Sequence, residues 1–252
     1  TISLGAGNDN SIRFGRVSVD ANVVDIRETD SAELFEVRAN SLTYVALNGI
    51  TQSSSANVGS ANFNAGTNGV TLNHAGNDFG SLIVKGGIVG VVDANELTLA
   101  GLDASTATIR TGSDLIEVLG ANQVSQVTNV ATFIAGSEVA RANIHLDSGQ
   151  NRFGSVNLTG ADVSLVEADG IRFIDVTANT LAAGSTSIDQ TDASHIAVGT
   201  IATLSATGNI TLDQANNRFG QLVISATEAN IHEADGTVLG SVNAQRLLMT
   251  SG

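Results

Sequence analysis

The chain of 252 residues is acidic, is rich in glycine and lacks both proline and cysteine. Its 25 acidic and 11 basic residues give a net charge of −14, which argues against binding to nucleic acid or to an anionic membrane surface. The absence of cysteine excludes a disulfide scaffold and a thiol nucleophile. No apolar run approaches the roughly 18 residues of a membrane span, so we expect no membrane insertion.

The dipeptide Phe-Gly marks an internal repeat, and its four copies are spaced by roughly 65 to 74 residues. Apolar residues recur at offsets +3, +5 and +12 from each Phe, and an acidic residue recurs at +14. The four Phe residues are Phe14, Phe79, Phe153 and Phe219. The apolar set is Val17, Val19, Ile26, Leu82, Val84, Val91, Val156, Leu158, Leu165, Leu222, Ile224 and Ile231. The acidic set is Glu28, Asp93, Glu167 and Glu233.

Further matches lie upstream of each Phe. An apolar-x-Leu pair precedes every copy, as in Ile210 and Leu212. About twenty residues earlier, three of the repeats have an apolar-polar-Gln step, which ends at Gln52, Gln126 or Gln190. So many matches at fixed offsets indicate a repeat array.

A shorter period of about 19 to 20 residues lies inside the long one, as from Leu146 to Leu165 and from Phe153 to Phe173. Each repeat of about 66 to 74 residues therefore divides into three coils of roughly 19 to 24 residues. Apolar residues alternate within a coil, which is typical of strands with one buried face. We predict an all-β fold, a single parallel β-solenoid of about 11 coils over residues 1–252.

Two features of the sequence refine this prediction. The lack of proline agrees with a solenoid, since a proline would remove a hydrogen-bond donor from almost any coil. The longest repeat, from Phe79 to Phe153, contains extra residues between Ser113 and Val130, where Leu115 and Ile116 cluster before Gly120. We expect an extra helical turn there.

The segment Ile210-Thr-Leu-Asp-Gln-Ala-Asn-Asn-Arg-Phe-Gly220, followed by Glu233-Ala-Asp, resembles the repeats of filamentous-haemagglutinin-like bacterial exoproteins. Ile50-Thr51-Gln52 and Asn77-Asp78-Phe79-Gly80 match that family's pattern best. The resemblance covers nearly the whole chain. It implies a right-handed parallel β-helix in a large surface adhesin, often secreted by the two-partner route.

The acidic residues at offset +14 are the first candidates for metal binding or acid–base catalysis. Equivalent carboxylates lie three coils apart, roughly 14 Å at about 4.8 Å per coil, which is too far for them to share one ion or flank one bond. We interpret Glu28, Asp93, Glu167 and Glu233 as solvated corner residues whose carboxylates accept hydrogen bonds from turn amides.

A second candidate lies between Leu4 and Ile12, where Gly-Ala-Gly-Asn-Asp resembles one calcium-binding nonapeptide. Such sites need consecutive copies, because each ion lies between adjacent turns. A loop insertion of three residues is one explanation, and an ion contact through Asp9 is the other. We expect no resident metal or cofactor elsewhere.

The remaining candidates are weak. His74, His145, His195 and His232 do not have zinc-site spacing, and no nucleophile elbow is present. The pairs Thr106 and Thr108, or Thr203 and Thr207, are too scattered for a flat ice-binding face. With no Trp and one Tyr, a β-helical enzyme acting on polysaccharide is a poor third hypothesis, so no catalytic residue is assigned.

The sequence therefore predicts a non-enzymatic, extracellular stalk of a bacterial surface protein with a structural or adhesive role. The alternative is a filament or sheath protein whose solenoids stack end to end. Expected partners are neighbouring coils or copies of the same protein, or a host-cell, glycan or matrix receptor. Thr1–Leu4 matches the start of a later repeat and residues 247–249 are apolar, so we expect an internal piece or a stacking unit with open ends.

Overall fold

The computed structural model describes residues 1–5, 12–121 and 123–251. The chain forms an all-β parallel solenoid of about 13 turns, without a helix among the residues described. It divides into two compact units, which we call unit 1 (Thr1–Val127) and unit 2 (Thr128–Gly252). The predicted fold class is confirmed.

In unit 1, every strand pairs in parallel with a strand about one coil later in sequence. Inward-facing residues of successive coils lie beside one another and form columns. One such column consists of Ile26, Tyr44, Phe63, Val84 and Leu102. The strands are β1 (Ile2–Leu4), β2 (Val17–Glu28), β3 (Ala32–Ala46), β4 (Ile50–Gln52), β5 (Ala56–Asn64), β6 (Val70–Leu72), β7 (Asp78–Asp93), β8 (Leu97–Thr111), β9 (Leu115–Glu117) and β10 (Ser125–Ala135), whose last residues belong to unit 2.

Unit 2 repeats this construction. Its column of inward-facing residues includes Leu165, Ala183, Leu204, Ile224 and Val242. The strands that follow β10 are β11 (Ile144–Leu146), β12 (Arg152–Thr159), β13 (Asp162–Val166), β14 (Gly170–Ser185), β15 (Ser187–Ala206), β16 (Asn209–Leu212), β17 (Arg218–Glu233) and β18 (Val238–Ser251).

The core consists of the residues that the repeat offsets predict. All twelve apolar residues at offsets +3, +5 and +12 are buried, as are Phe79, Phe153 and Phe219. Phe14, in the first coil of unit 1, is the exception and is partly exposed. In unit 1 the rings of Phe63 and Phe79 also meet edge to face, with centroids 6.0 Å apart. The alternating pattern therefore places the buried face correctly.

The coils are shorter than predicted. Paired residues of neighbouring coils are 17 to 22 positions apart, from 17 for Leu82 and Leu99 to 22 for Ile2 and Val24. Shorter coils give about 13 turns where the sequence predicted about 11.

The helical turn expected between Ser113 and Val130 is wrong. The described residues of this segment form the short strand β9 and an irregular connection before β10 begins at Ser125. The Val118 N–H donates to the Leu99 carbonyl at 3.0 Å, so the segment stays paired with the coil beside it. The connection then turns through a bond from the Gln123 N–H to the Gly120 carbonyl (3.0 Å).

Candidate functional site at the repeated corner

The repeated carboxylates are buried, not solvated as the sequence had suggested. Glu28, Asp93, Glu167 and Glu233 are each at most 3% exposed. Every one accepts a hydrogen bond from the N–H of the Phe fourteen residues earlier, at 2.7 Å for both Phe14 and Phe79, 2.9 Å for Phe153 and 3.2 Å for Phe219. The predicted bond from the carboxylate to a backbone amide is thus present, although in three repeats the donor lies at the start of a strand and not in a turn. We call this contact the acid latch.

The second oxygen of each latch has different surroundings. Glu28 Oε1 accepts the Tyr44 hydroxyl, and Asp93 Oδ1 accepts the Asn95 N–H at 3.0 Å. In unit 2, Glu167 Oε1 and Glu233 Oε2 are buried without a hydrogen-bond partner.

Burial also changes the acidity of these groups. It raises the pKa of Glu28, against the lowering effect of the bonds from Tyr44 and Phe14. It also raises the pKa of Asp93, against the bonds from the Phe79 and Asn95 N–H groups. Burial, together with the charge of Asp169, raises the pKa of Glu167 to about 8, against the lowering effect of the bond from Phe153. Burial of these three carboxyl groups disfavours their charged form.

Buried amides complete the corner two residues before the Phe. Asn77, Asn151 and Asn217 are all fully buried. The Asn217 amide nitrogen donates to the carbonyls of Leu212 (3.2 Å) and His232 (3.1 Å), and its oxygen accepts the Ile196 N–H (3.2 Å). Its side chain also exchanges two hydrogen bonds with that of Gln190.

The Gln step recognised in the sequence thus has a structural role in two repeats. Gln52 and Asn77 in unit 1 exchange the same pair of side-chain bonds as Gln190 and Asn217. Gln126 differs, since it donates to the Asp103 carboxylate at 2.9 Å. Because these buried groups bond to one another and to the backbone, the corner motif holds neighbouring coils together.

Sequence reasoning missed a set of surface ion pairs between residues seventeen apart. The pairs are Arg16–Glu33, Arg152–Asp169, Arg172–Asp189 and Arg218–Asp235, with nitrogen–oxygen distances of 2.7 to 3.3 Å. In the last two repeats, an Arg just before the Phe and an Asp at offset +16 were the available signal. Their side chains are mostly half-exposed, so each pair contributes little to stability.

The other sequence candidates do not come together in the described residues. Asp9 and its glycines lie among residues 6–11, outside the part of the chain that the structure describes. Within that part, no group of three or more His, Asp or Glu side chains is arranged to hold a metal ion. Thr106 and Thr108 lie beside Ile88 and Gly90 of the preceding coil, so the threonine pair does not extend into a row.

Two segments of the chain, residues 20–84 and 160–226, match the model of a family described as repeats of unknown function (DUF5649). Together they make up more than half of the sequence. The chain belongs to this repeat family. No curated protein and no solved structure matches it.

The family match agrees with the repeat derived from the sequence. Each matched segment begins six or seven residues after one corner Phe and ends five to seven residues after the next. The family unit therefore has the length of the repeat from one corner Phe to the next. That repeat is longer than the predicted three coils, since Phe79 lies three coils after Ala21 and not after Phe14. Among the described residues there is also no helix of the length and apolar character needed to cross a membrane.

Proposed function

We propose that this chain is a rigid, non-enzymatic stalk segment of a large bacterial surface protein, located outside the cell. The stalk holds a partner-binding region away from the surface. Its resemblance to filamentous-haemagglutinin-like repeats supports an adhesive parent protein exported by the two-partner route.

One observation carries this proposal: the most regular polar residues of the repeat are used internally. Buried Asn217 makes five hydrogen bonds that connect side chains and backbone of neighbouring coils. The latch acids bond to the chain itself through the corner Phe N–H groups. Polar groups that bond to one another and to the backbone hold neighbouring coils together, which is the property that a stalk requires.

The mechanical part of the proposal is tested by pulling the protein between its termini in single-molecule force experiments. A stalk should resist extension and then unfold in steps of whole coils or repeats, because each coil contacts mainly its neighbours. Smooth extension at low force would contradict it. Binding assays on cells and glycan surfaces, with the purified chain as probe, test the adhesive part.

A further inference from the structure

Glu167 is the latch acid with the fewest hydrogen-bond donors. Its side chain is 3% exposed, one oxygen accepts the Phe153 N–H, and the other is buried without a partner. The equivalent Glu28 has Tyr44 at the second oxygen, and Glu233 receives the Thr237 hydroxyl in addition to the Phe219 N–H. A carboxylate with one donor in a buried site is poorly stabilised as an anion.

The charges around this corner do not compensate for the small number of hydrogen-bond donors to Glu167. The ionisable groups on the neighbouring strands and turns are His145, Asp147, Arg152, Asp162, Asp169, Arg172, Asp175 and Asp189. Arg152 and Arg172 are paired, with Asp169 and Asp189 respectively. The charge that acts on Glu167 is the negative charge of Asp169, which opposes its ionisation.

We propose that folded unit 2 holds Glu167 as a neutral carboxylic acid, and that the loss of this proton to solvent loosens the corner between β13 and β14. The ionised group needs further donors, and the described residues offer none to its buried second oxygen. Opening of the corner hydrates the anion. Glu167 thus makes unit 2 sensitive to pH.

The direction of the effect follows from proton linkage. The folded-state pKa of about 8 exceeds the ordinary value of 4.5, so the folded protein binds the proton more tightly than the unfolded chain. The stabilising contribution is complete below pH 4.5 and is lost as the pH rises towards 8. Mildly alkaline solution should therefore weaken this corner.

Carbon-13 NMR of the intact chain labelled at its Glu side chains tests the proposal directly. Through-bond assignment from the backbone identifies the Glu167 carboxyl signal without any variant. We expect it to titrate with a midpoint near 8. A midpoint near 4.5 would overturn the proposal.

Urea unfolding at a series of pH values tests the structural consequence. Glu167→Gln retains an oxygen that can accept the Phe153 N–H and cannot ionise, so its stability should fall less than that of the wild type between pH 5 and 8. The matched control is Glu138→Gln, the same change at an exposed residue of unit 2, which should follow the wild type. Equal pH dependence in Glu167→Gln and wild type would rule out the switch.

Discussion

At the scale of single residues, the buried amides are the side chains on which the corner depends most. Asn217 satisfies two carbonyls, one backbone N–H and the side chain of Gln190 at once. Asn carries two N–H donors and an accepting oxygen on a short side chain, whereas the hydroxyl of Ser or Thr has a single donor. Its position therefore explains why Asn precedes the Phe-Gly pair by the same distance in three repeats.

Replacement of Asn217 by Ala should destabilise unit 2 by about 3 kcal/mol, since each buried polar group left unpaired costs roughly 1–3 kcal/mol. Chemical unfolding followed by circular dichroism measures this difference. Asn129→Ala, at an exposed residue of the same unit, is the control and should change stability by less than about 0.5 kcal/mol. Equal effects of the two changes would show that the corner bonds contribute nothing.

The single tyrosine gives a second test at this scale. Tyr44 is fully buried, and burial together with its bond to Glu28 raises the pKa of the phenol. The neutral phenol is thus favoured in the folded state, and its stabilising effect declines only above the ordinary tyrosine pKa of about 10. Since the chain has no Trp and no other Tyr, ultraviolet absorbance reports this residue alone.

We expect tyrosinate absorbance to appear only when the circular dichroism of the strands is lost at high pH. Free titration near pH 10 in a folded protein would contradict the buried hydrogen bond. Urea-unfolded chain, in which Tyr44 is exposed, provides the reference titration.

At the scale of the strand and turn, the Phe-Gly pair combines a core residue with a close approach of two coils. A Cβ atom on Gly220 would lie 2.6 Å from the carbonyl oxygens of both Gly199 and Thr200. Gly80 is similarly placed, 2.6 Å from the Gly59 oxygen. The glycine is thus required for space at these corners, because a methyl group would push the coils apart.

Gly220→Ala should therefore destabilise unit 2 by about 1–3 kcal/mol through overpacking. Gly15 is the matched control in the same motif, since a Cβ atom there would have no described residue within 4 Å. Gly15→Ala should be neutral or stabilising by up to about 1 kcal/mol, as the unfolded chain loses freedom. Thermal unfolding of both variants shows whether the effect on stability depends on the space around the glycine or on its place in the Phe-Gly motif.

The sequence predicted the strands and their buried faces well, and the corners only in part. Period-two alternation identifies an inward residue such as Leu158 without any structure, because a strand side chain has only two directions to point. The burial of Glu167 could not be read in this way, since an acidic residue after a strand is usually solvated. Its partner, the Phe153 N–H, is a backbone group that leaves no sequence signal.

Register shifts between neighbouring coils are a further feature that the alternation of apolar residues does not predict. Parallel pairing slips between Val17 and Val19 and again between Leu82 and Ile83, at equivalent places in two repeats of unit 1. In the first of these bulges Glu36 adopts a φ of 55°, which is uncommon for a residue other than glycine. One inserted residue lengthens the coil, and the apolar residues still alternate within the strand segments before and after it. The number of apolar positions therefore does not reveal the bulge.

At the scale of the whole molecule, the repeat rather than the coil is the interchangeable part. The strand β1 pairs with Val24–Ile26 in the same way as β6 pairs with Val89–Val91. Removal of residues 15–79 would join Phe14 to Gly80, so that β1 takes the place of β6 beside Val89–Val91 of β7. The deletion takes out one complete repeat.

We expect this deletion variant to fold, with an unchanged strand signal per residue in circular dichroism and a cooperative unfolding transition. Each repeat contacts mainly its neighbours, so an in-phase removal leaves equivalent interfaces. The control variant lacks residues 15–69 and joins Phe14 to Val70 out of phase, so β1 should lose its pairing while the strands from β6 onward keep theirs. Amide hydrogen exchange at residues 2–4 distinguishes the two variants. Similar behaviour of both variants would show that the repeat boundaries are misplaced.

The spacing of the acid latch has a consequence for how the chain becomes ordered. Phe and acid are fourteen residues apart, which is less than one coil, whereas the Gln–Asn bonds join residues 25 or 27 apart. Closing so short a loop takes about 10–100 ns. This is far less than the time in which a chain that is synthesised from one end gains its next coil. Each corner would therefore close soon after its acid emerges, before the next coil exists. Folding can then advance in one direction, each finished coil serving as the template for the following one.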